Sequence, residues 1–166
     1  NEFSVLNFLV RNFAEKLTIR SIAQRLGFSS AGVFNILKKL EKQGIVIGEK
    51  LGTGLFYSIN WENKVALHLA AIVLVYSDQK ISINAEQLKQ AKSAIFDRKT
   101  LLLVTDSVTA LDVSLPGIGV IAKTEEEIIG LLRKKDSEML QMLKNGIVLF
   151  GEDKLVDIIK SCISRF

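Results

Sequence analysis

The segment that decides the fold is TIRSIAQRLGFSSAGVFNILKKLEKQGIVIGEKLGTGLFYSIN, residues 18–60 of the chain. Its first half has the apolar spacing of two helices on either side of Gly27, and its second half has two strand-like runs around Gly52 and Gly54. Glycine can take the left-handed conformation that ends a helix, and it permits the tight turn of a hairpin. The sequence therefore predicts two helices followed by a hairpin.

Another helix precedes this segment, because apolar residues recur at roughly helical spacing from Phe3 onward. Thr18 is expected to cap the second helix, and Ser29 or Ser30 the third, since these side chains accept hydrogen bonds from free backbone N–H groups. The predicted elements are helices over residues 3–16, 19–26 and 29–43 and strands over residues 45–50 and 55–60.

The third helix has two different faces. Its inward face is predicted to consist of Val33, Ile36, Leu37 and Leu40. Its opposite face carries hydroxyl and amide side chains toward the N-terminal end, which suit base edges, and lysines toward the C-terminal end, which suit phosphates. Phe34 could pack in the core or touch a thymine methyl group, and we assign it to the core. This division of faces is typical of a helix that lies in the DNA major groove.

The phrase KKLEKQGIVIGEKLGTGLFYSIN, residues 38–60, resembles the winged-helix transcriptional regulators of bacteria and archaea, broadly of the MarR and ArsR type. The resemblance covers residues 3–60 and rests on the order of three features: LxxLEKxGxV at a helix end, a glycine-tipped hairpin, and a tyrosine. It implies that the chain binds double-stranded DNA with helix 29–43 and with the hairpin, or wing, over residues 45–60. Some winged helices bind proteins or RNA instead.

The residues expected to contact DNA lie at the start of the second helix, along the free face of the third helix and on the wing. They are Thr18, Arg20, Ser29, Ser30, Gly32, Asn35, Lys38, Lys39, Lys42, Lys50 and Thr53. Which of the polar side chains on the third helix touches bases stays open, because rotating the helix by one residue changes the answer.

The charge of the chain is concentrated in its first part. Residues 1–60 hold eight basic and four acidic side chains, and the basic and acidic groups of the remaining residues balance, so this part carries the whole net charge of +4. Neutralising phosphates with such groups releases counterions and favours association with DNA. An excess of four charges is modest for one chain, so we expect a homodimer that presents two such faces.

Other features of the sequence exclude several classes of protein. Cys162 is the single cysteine and no signal peptide is predicted, which favours the cytoplasm. The longest apolar run, residues 65–76, is shorter than the roughly 20 residues of a membrane span. With the residues before it from Trp61 onward, it predicts a helix buried on most of its surface, either under the second domain or against another subunit. We interpret it as a dimerisation helix. His68 on this helix lacks partners at ligand spacing, so neither a metal nor a cofactor is expected.

The second half of the chain predicts a small sheet flanked by helices. Its predicted elements are a helix over 84–96, strands over 100–105 and 117–123, helices over 124–135 and 136–145, a strand over 147–150 and a helix over 152–164. Capping-box patterns at Asn84 and Thr124 support two of the helix starts. The predicted class is α+β: a winged helix-turn-helix domain over residues 1–60, a linker over 61–83, and an α/β domain with a small mixed sheet over 84–166.

A predicted strand, a polar turn, a second strand and a helix follow one another in this half of the chain. The phrase MLKNGIVLFGEDKLVDII, residues 142–159, comes after them. This arrangement resembles the minimal nucleotidyltransferase fold of the DNA polymerase beta type, over residues 84–165. In that family a Gly-Ser pair ends the first strand and an Asp-x-Asp opens the second. The two acids hold the metal ions that neutralise the triphosphate and activate the attacking hydroxyl.

The chain departs from that pattern where the metal ions would bind. Asp106-Ser107 stands in the place of Gly-Ser, and Gly117 and Gly119 stand in the place of the two acids. Asp106 and Asp112 are nearby acids, but we place them on the turn rather than at alternate positions of a strand, where two side chains would share a face. The resemblance then implies a catalytically inactive relative, retained for binding or assembly, and no enzyme is expected.

These observations favour a dimeric transcriptional regulator whose C-terminal domain either dimerises or binds an unknown small-molecule or protein effector. Two alternatives stay open. One is a nucleotidyltransferase-type enzyme with carboxylates at unexpected positions, and the other is a protein-interaction adaptor whose winged helix binds no nucleic acid.

Overall fold

The structure, a computed structural model, describes residues 1–76, 88, 90–107, 113 and 115–163. It divides the chain into unit 1, Asn1–Val73, and unit 2, Leu74–Phe166. The elements are α1 (Glu2–Arg11), α2 (Ile19–Leu26), α3 (Ser30–Lys42), β1 (Val46–Leu51), β2 (Gly54–Ile59), α4 (Lys64–Val75), β3 (Ser93–Asp97), β4 (Thr100–Val104), β5 (Gly119–Lys123), α5 (Glu125–Arg133), α6 (Ser137–Asn145), β6 (Ile147–Phe150) and α7 (Glu152–Ile163). None of the helices in the described ranges has both the length and the hydropathy of a membrane-spanning segment. The mixture of helices and sheets fits the α+β class.

Local capping sets the helix-turn-helix of unit 1. The Thr18 hydroxyl accepts a hydrogen bond from the backbone N–H of Ser21 at 3.2 Å, and the Ser21 hydroxyl accepts one from the Thr18 N–H at 2.9 Å. Gly27 ends α2 with φ +68°, which closes the helix in the left-handed conformation. Ser29 rather than Ser30 caps α3, because its hydroxyl accepts from the Gly32 N–H at 3.1 Å. The boundaries predicted for α2 are confirmed.

The wing is the antiparallel hairpin of β1 and β2, in which Leu51 faces Gly54 across a two-residue loop. Gly52 in that loop has φ +59°, as a tight hairpin loop requires. The base of the wing is tied to the helices, since the Tyr57 N–H donates to the Leu17 carbonyl oxygen at 2.8 Å. The core beneath it is formed by fully buried side chains of the helices and strands, among them Val5, Leu9, Ile22, Val33, Leu37, Tyr57 and Ile59.

Two helix boundaries of unit 1 were predicted wrongly. The first helix ends at Arg11, and the prediction extended it to residue 16. The side-chain amide of Asn12 donates to the Phe8 carbonyl oxygen at 2.7 Å, so it competes with the continuing helix. The hydrophobic helix begins at Lys64 and not at Trp61, because the Asn63 side-chain oxygen accepts from the free N–H groups of the first turn.

Unit 2 contains a four-stranded mixed sheet in the order β5-β4-β3-β6. The pair β4 and β5 is parallel, and the other two pairs are antiparallel. Alternation of side chains gives each strand two faces. One face, with Leu101 and Leu103, packs in a cluster with Leu88 and Ala94, while the other, with Leu102 and Ile121, lies toward α5 and α6.

The structure also corrects the prediction for the start of unit 2. The predicted helix over residues 84–96 is wrong at its end, because residues 93–97 form β3, a central strand paired on both sides. Residues 84–87 and 89, with the predicted Asn84 cap, lie outside the described residues. The strand predicted from Gly117 begins at Gly119, since Gly117 has φ +74° in a turn. The Thr124 capping box with Glu127 is confirmed, as are the bounds of β6.

Candidate nucleic-acid interface

The free face of α3, which we call the α3 face, consists of two neighbouring rows of exposed side chains spaced four residues apart. The first row is Ser30, Phe34, Lys38 and Lys42, and the second is Ala31, Asn35 and Lys39. Residues four apart on a helix lie one above the other, so each row is a continuous strip. The buried side of the same helix carries Val33, Leu37 and Leu40, while Ile36 is half-buried. The helix is therefore fixed by its apolar side and presents polar and basic groups outward.

Two of the predicted DNA-binding lysines are engaged within the chain. The Lys38 ammonium forms an ion pair with the Glu41 carboxylate at 2.7 Å, and the Lys39 ammonium forms one with the Glu2 carboxylate at 2.8 Å. The hydrogen bond and the charge of Glu41 raise the pKa of Lys38. Both lysines are exposed, so water screens these pairs strongly. A phosphate can replace the carboxylate at either lysine at little cost.

Other predicted residues of the interface serve the backbone of the helices. The Thr18 and Ser29 hydroxyls are occupied as helix caps, and the Gly32 N–H is the donor that Ser29 binds. These groups hold α2 and α3 in position. These hydrogen bonds account for the presence of Thr18, Ser29 and Gly32 in the chain without any contact to DNA.

Three cations of the predicted interface have no hydrogen bond or ion pair among the described residues: Arg20, Lys42 and Lys50. They lie on α2, at the end of α3 and on the wing, and all three are exposed. Asn35 and Thr53 are exposed as well. These side chains are free to meet phosphates or base edges without first losing a partner.

Sequence reasoning placed Phe34 in the core, and the structure corrects this: its side chain is 44% exposed at the centre of the α3 face. The core beneath α3 is already filled by side chains on the opposite side of the helix, Val33 and Leu37, which are fully buried. The partners of Lys38 and Lys39 were also missed. The spacing of Lys38 and Glu41, three residues apart on a helix, could have indicated the first ion pair. No local signal pointed to Glu2.

The second candidate site lies at the end of β4, where the sequence departs from the nucleotidyltransferase pattern. Asp106 is exposed, and its carboxylate is paired with the Lys92 ammonium at 2.5 Å. The Thr105 hydroxyl bonds the backbone of Ser107 and closes a local turn there. Asp112 lies outside the described residues, and among those described no group of three His, Cys, Asp or Glu side chains could hold a metal ion. Cys162 is buried on α7, and burial raises the pKa of its thiol.

Unit 2 also contains an open cleft of about 560 Å³ beneath α6. Its floor is apolar, with Leu102 and Ile121 from the sheet and Leu131, Met139 and Met142 from the helices. Its rim carries the carboxylates of Asp97 and Glu138, which have no partner in the described part of the chain, and the ammonium of Lys123. The cleft has a volume in the usual range for small-molecule sites.

The comparisons with known proteins cover the part of the chain that carries the α3 face. Neither a curated protein nor a solved structure matches the chain. A family model does match: residues 1–52 fit the model of the MarR family. The matched range contains α1, α2, α3 and β1, and it supports the helix-turn-helix part of the resemblance seen in the sequence. Over its first 52 residues, the chain is thus similar to the MarR family.

Proposed function

We propose that this protein is a DNA-binding transcriptional regulator that acts as a dimer, with α3 in the major groove and the wing on the adjacent DNA backbone. The observation that carries the proposal is the α3 face, where Ser30 and Asn35 lie on the N-terminal half and Lys38 and Lys42 on the C-terminal half. Hydroxyl and amide groups suit base edges and lysines suit phosphates. The match of residues 1–52 to the MarR family supports the same function.

The cations divide into two groups with different roles. Arg20, Lys42 and Lys50 are available at once for phosphates, and each such contact releases counterions. Lys38 and Lys39 must first exchange a carboxylate for a phosphate. The free cations should therefore supply most of the salt-dependent affinity, and the paired ones a smaller part.

We assign dimerisation to α4. Val65, His68, Ile72 and Val75 are exposed and follow one another at spacings of three, four and three residues, the pattern of a two-helix seam. Val65 is 58% exposed and Ile72 is 57% exposed, so burial of this apolar strip against another surface is favourable. A second copy of the chain offers the same strip, and the dimer doubles the excess positive charge that faces DNA.

The test is a measurement of duplex binding by fluorescence anisotropy across a salt series, with DNA selected from a random library. The affinity should fall linearly in a log–log plot, and Lys42→Ala with Lys50→Ala should reduce the slope by about 0.9 for each lost phosphate contact. Lys134→Ala, which removes an exposed cation directly after α5, is the matched control and should leave the slope unchanged. Absence of duplex binding at about 50 mM salt would contradict the proposal and favour a protein-interaction adaptor.

The cleft beneath α6 is our proposed site for a small-molecule effector. Its apolar floor and its two unpaired carboxylates, Asp97 and Glu138, suit an organic cation with an apolar body. Benzylamine should bind in NMR titrations, and benzoate, of similar shape and opposite charge, should bind at least tenfold more weakly. Asp97→Asn with Glu138→Gln should remove this preference, while Glu126→Gln on the exposed side of α5 should keep it. Equal binding of the amine and the acid would rule out this assignment.

We also retain as a proposal the resemblance of the C-terminal domain to an inactive nucleotidyltransferase. The order β4, β5, α5 agrees with it, and Gly117 and Gly119 in the place of the two acids support the absence of catalysis. Magnesium-dependent incorporation of a labelled nucleotide, abolished by Asp106→Ala, would instead favour the enzyme.

A further inference from the structure

Phe34 is an exposed aromatic side chain in the middle of a polar and basic helix face. Along its own row, Ser30 lies one turn before it and Lys38 one turn after it, and Asn35 lies beside it in the second row. Its side chain is 44% exposed. It is also the single large apolar side chain among the exposed residues of α3. The core beneath α3 is filled without the Phe34 side chain, and no other large apolar side chain is exposed along the helix.

The chemistry around Phe34 decides what its ring would meet. A protein-binding patch would continue into further large apolar side chains, whereas here the neighbours are a hydroxyl, an amide, an ammonium group and the small methyl group of Ala31. In a major groove those neighbours face base edges and phosphates. The apolar group that a major groove offers at this depth is the C5-methyl group of thymine.

We propose that Phe34 reads thymine, and that Asn35 beside it reads adenine, so that the α3 face selects A·T pairs. The proposal rests on the proposed DNA binding and adds the base that is recognised. Asparagine can donate to and accept from the N6 and N7 positions of adenine, and an aromatic ring can cover the thymine methyl group. The two side chains are adjacent in sequence and both are exposed, so they can reach the same or neighbouring base pairs.

The experiment uses DNA in which uracil replaces thymine, because this change removes the methyl group and leaves the base pairing intact. The full chain is first used to select duplexes from a random library. Wild-type protein should then bind the uracil form of the selected duplex about fourfold more weakly for each methyl group that Phe34 covers. Phe34→Ala should bind the thymine duplex more weakly and should no longer distinguish it from the uracil duplex.

Two control variants separate this effect from a general loss of binding. Lys42→Ala should weaken binding to both duplexes equally, since it removes a phosphate contact. Phe34→Leu should retain part of the thymine preference, and its circular dichroism spectrum should match that of the wild type, as should that of Phe34→Ala.

Each outcome bears on one of the two proposals. If no duplex is bound, DNA binding itself fails. Three other outcomes overturn the inference about Phe34 while DNA binding stands. Wild-type protein binds duplexes but does not distinguish thymine from uracil, or Phe34→Ala keeps the wild-type preference, or the selection enriches no sequence.

Discussion

The two units of the molecule are assembled from contacts of different range. In unit 1 the helix-turn-helix and the wing form between neighbouring segments, and caps such as Thr18 and Ser29 lie within three residues of the groups they bind. In unit 2 the central strand β3 pairs with β6, which places Ala94 opposite Phe150. The parallel pair of β4 and β5 likewise needs a connection that crosses over.

This difference has consequences for both stability and function. A fold made from local signals tolerates the loss of one signal, because its neighbours still specify the same turn or helix. A sheet made from distant strands depends on a few close approaches of backbone to backbone. Unit 1 can therefore carry recognition residues on an exposed helix face without losing its fold. In unit 2, by contrast, a substitution at a single position should strongly lower stability.

The largest effect is expected at Gly151, where α7 begins against β3. A Cβ atom at this position would lie 2.1 Å from the Lys92 carbonyl oxygen and 2.6 Å from the Ser93 Cα atom, and φ is +74°. Gly151→Ala should thus lower the stability of unit 2 by more than about 3 kcal/mol. Urea unfolding followed by hydrogen exchange of the amides of β4 measures this loss, and the fluorescence of Trp61, the single tryptophan, reports on unit 1.

The control for Gly151 is Gly130→Ala in α5. Nothing lies within 4 Å of a Cβ atom at Gly130, and alanine is the better helix former, so the variant should gain about 0.5–1 kcal/mol. In Gly151→Ala, the urea midpoint reported by Trp61 fluorescence could shift as much as the one reported by the amides of β4. That result would show that the two units unfold together and would contradict the difference between them.

An intermediate effect is expected on α4. Ile72→Asp places a charge in the proposed seam, where two copies of the side chain would otherwise be covered, so the dimer dissociation constant should rise about 100-fold. Sedimentation velocity measures the change. Ile47→Asp makes the same substitution at another exposed isoleucine, on β1 and outside the proposed seam, and should leave the dimer intact. An unchanged dimer in Ile72→Asp would show that copies associate through another surface.

Sequence patterns predicted most of unit 1 because its determinants are local. The bounds of α2, the cap at Thr18 and the glycine-tipped wing all follow from residues a few positions apart. The prediction failed where a side chain competed with the helix, as Asn12 does at the end of α1. It failed again at Phe34, since helical spacing alone could not show that the core beneath α3 was already full.

Unit 2 was predicted less completely for the opposite reason. The apolar content of Ser93–Asp97 is compatible with a helix or a strand. The segment forms a strand because it pairs with both β4 and β6. Such partners are distant in sequence and leave no periodic signal. The cleft beneath α6 was also missed, because it combines residues from the sheet and from two helices.

A small effect is expected at Gly27, which shares its positive φ with Gly151 but not its surroundings. Nothing lies within 4 Å of a Cβ atom at Gly27, where φ is +68°, so the cost of Gly27→Ala is that of the left-handed conformation alone, about 1 kcal/mol. Gly27→Asn should cost less, since asparagine tolerates this conformation. Urea unfolding monitored by Trp61 fluorescence tests both, and a loss as large as that of Gly151→Ala would remove the distinction between local and distant determinants.

The smallest effect concerns the α3 face itself. The Glu41 carboxylate raises the pKa of Lys38, and this pair lies where a phosphate would approach. Glu41→Gln should return that pKa toward its ordinary value, still far above neutral pH, so Lys38 stays charged and loses only a competitor. DNA affinity should then rise about two- to fivefold, and Glu126→Gln in unit 2 should not change it. A weaker affinity in Glu41→Gln would mean that the carboxylate positions Lys38 for its phosphate, and that this local contact contributes to recognition.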